Sequence, residues 1–170
     1  MKKYLLLFLA LSLTTLRASA QDVLNEIIRT SDRILNDTTK SLDERKTAMF
    51  KWEAMNYQRN KILPAFLMFD KKANPDSINH RIQFLNEQAY SMSVYITLFQ
   101  KRMAEAKDKD KPMVARLFKQ ATYDHKLFRD PDTATTMAYN QRFDYPIQFC
   151  LDCNWVQTLA FIRKLDWSKL

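Results

Sequence analysis

Between Ile78 and Met103 the apolar residues of this chain keep to a seven-residue grid. Ile78, Leu85, Met92 and Phe99 fall on one position, and Ile82, Ala89, Ile96 and Met103 fall four residues after each. Alternating steps of four and three match the turn of an α-helix and exclude the two-residue alternation of a half-buried strand. Tyr95 and Leu98 widen the stripe beyond a two-stranded seam, as the interior of a globular bundle requires. The pattern predicts one long helix over about 77–106, a rod of roughly 45 Å at ~1.5 Å per residue. Shorter helices have that rod to pack against.

The rest of the chain must fold without glycine, of which its 170 residues contain none. At ~7% usage an average chain of this length carries roughly a dozen. Glycine supplies positive φ and close backbone approach. Its absence excludes a P-loop, a dinucleotide fingerprint, a G-x-S-x-G elbow and an EF-hand loop together. Tight hairpin turns lose their usual residues as well. A helical fold closed by Asn, Asp and Pro tolerates the loss best, so the expected fold class is all-α.

Leu24, Ile27, Ile28, Ser31, Ile34 and Leu35 share one face of a helix from about Asp22 to Asn36, with Arg29, Asp32 and Arg33 off it. After a polar break, Ser41 and Glu44 have the spacing of a capping box. They open a second helix that turns Met49, Trp52, Met55, Ile62 and Leu63 inward and Glu53 and Arg59 outward. Pro64 stops or kinks it, and Ala65 to Phe69 (AFLMF) then folds onto the core. Asp76 or Ser77 is placed to cap the long helix. Pro112 is placed to open the next one, whose stripe is Val114, Leu117, Phe118, Ala121 and Phe128. A last helix, starting near Pro146 or after Asp152, buries Val156, Leu159, Ala160 and Ile162. The expectation is a single domain over 21–170, a bundle of four main helices plus short irregular segments.

Residues 1–20 have the pattern of a cleaved signal peptide. Lys2 and Lys3 precede the apolar run Tyr4 to Leu13, and Ala18-Ser19-Ala20 leads to cleavage before Gln21. The apolar run is shorter than the ~20 residues that span a bilayer. The mature chain is therefore expected to be exported, periplasmic or secreted, and not membrane-spanning. Removing Lys2, Lys3 and Arg17 leaves 24 basic against 19 acidic side chains, a net charge of +5 in place of +8. The excess is scattered, and its densest run, Lys107 to Lys111, alternates in sign. Nucleic acid is not expected as a partner.

Cys150-Leu151-Asp152-Cys153 is the one motif suited to covalent chemistry. On one helical turn the two Cα atoms would lie ~5 Å apart, within disulfide reach, and an exported protein meets oxidising surroundings. Equally, Phe149, Leu151 and Trp155 around them suit two core thiols. If Asp152 caps the last helix, Cys153 becomes its first residue and the dipole favours a thiolate, the redox reading. Asn154 stands where haem attachment needs histidine, and zinc lacks a second ligand pair.

His80 falls off the buried stripe and is expected in solvent, while His125 cannot pair with adjacent Asp124 along one helix. Asp130 and Asp132 suit turns or caps, since the run lacks the later residues of a calcium loop. Neither a metal nor a cofactor is expected. The candidates for holding a partner are Phe66, Met68 and Phe69, should they lie open to water, with Asp130, Asp132 and Trp155 in the carboxy-terminal third.

The runs Leu127-Phe128-Arg129-Asp130-Pro131-Asp132 and Gln148-Phe149-Cys150-Leu151-Asp152-Cys153-Asn154-Trp155 resemble those of short, uncharacterised exported helical proteins of bacteria. The resemblance implies an envelope or secreted protein and carries over no catalytic residue. Export, a helical core and the excluded motifs lead together to a non-catalytic binding or interaction protein of the bacterial envelope, its partner an unknown protein or envelope component. The alternatives are a thiol-active protein using Cys150 and Cys153, and a helical holdase that grips clients through Met and aromatic side chains.

Overall fold

The computed structural model describes residues 22–62, 75–123, 149–151 and 153–167. These residues form five α-helices and no strand: α1 (Asp22–Asn36), α2 (Leu42–Ile62), α3 (Pro75–Glu105), α4 (Lys111–Tyr123) and α5 (Trp155–Lys164). None of these helices is long and apolar enough to cross a membrane.

The seven-residue grid faces inward along the middle of α3. Leu85, Ala89, Met92, Tyr95 and Ile96 are fully buried and Phe99 nearly so, while Ile78, Ile82 and Met103 near its ends are half-buried. All four other helices contact α3. It starts at Pro75, not after an Asp76 or Ser77 cap. Proline suits that first position because its missing N–H has no helical partner there and its φ is already helical.

Side chains do the work of glycine in the turn between α1 and α2. The Asp37 carboxylate accepts from the Thr39 amide at 2.9 Å and from the Thr39 hydroxyl at 2.6 Å, a turn held by a side chain. The Thr39 hydroxyl, and then its amide, draw the Asp37 carboxyl below the usual carboxylate value. Ser41 and Glu44 form the expected capping box. The Ser41 amide donates to Glu44 Oε2 at 2.9 Å, and the Glu44 amide donates to Ser41 Oγ at 3.2 Å. Arg45 Nε donates to the Leu35 carbonyl at 3.0 Å, satisfying one of the last acceptors of α1.

Two helices are rotated from their expected phase. In α2 the inner line is Thr47, Phe50, Ala54 and Gln58, flanked by Ala48 and Met55. Met49 and Trp52 are half-buried, and so are Glu53 and Arg59, which were expected outward. The reason is that α2 packs against α1 on one side and α3 on another, so no single stripe covers its contacts. In α5 Val156 is 38% exposed and Ala160 is exposed. Leu159 and Ile162 are buried as expected, and Trp155 and Thr158 take the inward places of the other two.

The core is one cluster drawing on all five helices and on the segment before α5. Its centre is aromatic. Tyr95 lies edge-on to Phe118, Phe149 and Trp155 at centroid distances of 5.1, 5.2 and 5.5 Å. Phe50 and Phe99 meet Phe149 in the same way. Such edge-to-face pairs add about 0.5–1.5 kcal/mol each beyond the area they bury.

Candidate functional site

The segment holding the cysteines is a structural clamp. Asn154, not Asp152, caps α5, and its Oδ1 accepts from the Gln157 amide at 3.2 Å. Gln88, fully buried on α3, grips this cap from both sides. Its Nε2 donates to Asn154 Oδ1 at 3.1 Å and its Oε1 accepts from the Trp155 amide at 2.7 Å. Gln58 of α2 donates to the Cys153 carbonyl at 2.8 Å. Two buried amides thus satisfy backbone groups that helix and strand ladders leave over.

That geometry decides the form of the cysteines. Cys150 and Cys153 stand as thiols rather than as a disulfide. Both precede α5 in non-helical backbone, so the single helical turn that would have set them for bridging does not exist. Cys153 is 2% exposed, with its Sγ 3.3 Å from Thr158 Oγ1. It is not the first residue of a helix, which removes the premise of a dipole-stabilised thiolate. Trp155 is 0% exposed and fills the aromatic centre, so the surface role expected for it gives way to packing. His80 is exposed, as expected. Phe66, Met68, Phe69, Asp130, Asp132 and His125 lie outside the described residues. No group of three or more His, Cys, Asp or Glu with metal-holding geometry occurs among the described residues.

The surface offers a different feature. Where α1, α2 and α3 meet, packing leaves a groove of about 280 Å³. Ile27, Ser31 and Ile34 form its α1 wall, Thr47, Ala48 and Lys51 its α2 wall, and Ser93 and Gln100 lie on α3. Ser31, Thr47 and Ala48 are buried and make the floor. Lys51 is half-buried. Burial holds its amine below the usual lysine value, and no neighbouring charge among the described residues offsets that effect.

Two carboxylates line the same groove and are engaged elsewhere. Glu26 takes Arg29 at 2.9 Å and the Thr30 hydroxyl at 3.0 Å, and Glu44 is held in the capping box. Among the described residues, then, no carboxylate neutralises Lys51. A desolvated ammonium in an open groove is a place where a ligand's negative charge gains more than it does in water.

A second, more apolar groove of about 370 Å³ adjoins the first, sharing Ile27 and Ser93 as walls. Val94 and Leu98 line it, with Tyr90, 62% exposed, and Lys101 at its margins.

Lys51 had a legible signal. It lies three residues after Ala48 and four before Met55, so once those two share the inner face, lysine falls between them. Reading Met49 and Trp52 as the stripe hid it. No family model, curated protein or solved structure matches the chain.

Proposed function

We propose that this chain is an exported, single-domain bundle of four main helices and one short one, which binds a ligand through the α1–α2–α3 groove and does not transform it. The observation that carries the reading is Lys51, a buried-side cation without a carboxylate partner among the described residues, set in an open groove. A polar group desolvated at a cost and left without a partner is what a binding site retains and a packing site removes. Export rests on the signal-peptide pattern of residues 1–20, and places the binding in the periplasm or outside the cell. The resemblance of its carboxy-terminal runs to exported helical proteins of bacteria supports the same setting.

Native mass spectrometry tests the reading. The protein is incubated with a solvent extract of bacterial envelopes, alongside the variant Ser93→Trp, which fills the wall common to both grooves. The expected result is a bound species of discrete mass on the wild type and its loss from the variant. Equal retention by both proteins, or none by either, would overturn the assignment.

A further inference from the structure

We infer that the paired grooves accept a single-chain amphiphile with a carboxylate head, the head beside Lys51 and the tail along Ile27, Val94 and Leu98. The inference rests on the groove being the binding site and adds the chemistry of what enters it.

The two grooves differ in the direction that an amphiphile needs. The first has hydroxyls on its floor and sides, at Ser31 and Thr47, and Lys51 as the one cation among its described lining residues. The second is mainly apolar, walled by Ile27, Tyr90, Val94 and Leu98, with Lys101 at its far end. They adjoin at Ile27 and Ser93, which line both, so a molecule seated in one reaches the other by passing over these two side chains. Along α3 the apolar wall runs from Tyr90 to Lys101, roughly 16 Å at ~1.5 Å per residue, a length suited to an extended medium acyl chain.

Charge selects the head. Glu26 and Glu44 at the first groove disfavour a dianion. Because Glu26 is paired with Arg29, and Glu44 with Lys40 and the capping box, Lys51 is left to meet a single negative charge. A cationic head would meet Lys51 directly. A neutral alcohol would accept one hydrogen bond from the ammonium and leave its charge uncompensated.

Titration calorimetry with dodecanoate, dodecanol and dodecyltrimethylammonium, each below its micellar concentration, tests the proposal. Dodecanoate is expected to bind at least about tenfold more tightly than dodecanol, the worth of one charge-assisted hydrogen bond. The cationic amphiphile is expected to bind weakest. Lys51→Met should weaken dodecanoate by about the same factor and dodecanol by less, while Lys51→Arg should retain dodecanoate.

Equal binding of dodecanoate and dodecanol to the wild type, or an unchanged dodecanoate affinity in Lys51→Met, would overturn the assigned head. If Ser93→Trp still abolished binding in that case, the groove would stand and the ligand class would fall. Binding of dodecanoate that persists in Ser93→Trp, or none to the wild type, would overturn both.

Discussion

Tyr95 donates its phenol hydrogen to the Phe118 carbonyl from a fully buried position at the centre of the aromatic cluster. Burial, and then the nearby Cys153, hold this phenol well above the usual tyrosine value, which is about 10. As pH rises past that ordinary value the unfolded chain gives up the proton and the folded chain keeps it. The contribution of Tyr95 is therefore complete below about pH 10 and is lost above it. Urea midpoints measured at about pH 9 and about pH 11 should fall more steeply for the wild type than for Tyr95→Phe. At neutral pH the same variant should lose about 1 kcal/mol for the missing hydrogen bond. Tyr95 was legible as a core residue from its place beside the grid. Its acceptor, 23 residues away on α4, was not, because spacing within one helix carries no information about which carbonyl another helix offers.

At the scale of elements, what could be read depended on whether a helix gathers its apolar residues onto one face. α1 shows one face to the core, and its predicted stripe and bounds, Asp22–Asn36, match those observed. α3 has neighbours on several sides, yet its grid is long enough to mark the main one. α2 packs on two helices, as α1 does, but spreads its apolar residues around the circumference, so its inner line of Thr47, Phe50, Ala54 and Gln58 was hidden. The start and phase of α5 are set by a polar contact from outside it, the grip of Gln88 on Asn154 and Trp155. Local sequence shows a capping residue and not the glutamine that selects it. Asn154→Ala removes the cap and leaves the Gln88 amide hydrogen without its acceptor. It should cost about 2 kcal/mol in chemical denaturation, with helix loss at α5 seen as faster amide exchange over residues 155–164 than elsewhere.

For the whole molecule, the two thiols report on whether the core is shut. Cys150 is half-buried and Cys153 buried. In native buffer a thiol reagent should modify Cys150 first and reach Cys153 only at the rate of opening, and in denaturant both should react together. Simultaneous modification of the folded protein would mean that the clamp is open. The candidate site belongs to this scale as well, since its walls come from three helices that the chain brings together. The place of Lys51 on the inner side of α2 was legible from its spacing, but the groove it faces was not.

The stretch from Phe149 to Ile162 supplies Phe149, Leu151, Cys153, Trp155, Leu159 and Ile162 to the core cluster. The bond from Gln58 to the Cys153 carbonyl closes a loop of 95 residues. Until that stretch docks, Phe50, Tyr95, Phe99 and Phe118 have no aromatic lid, and the hairpin of α1 and α2 is held to the rest through α3. Closing so long a loop costs entropy before any contact repays it. Folding should therefore be gated by one late event. A nascent or truncated chain lacking this stretch would present its stickiest surface to whatever stands nearby.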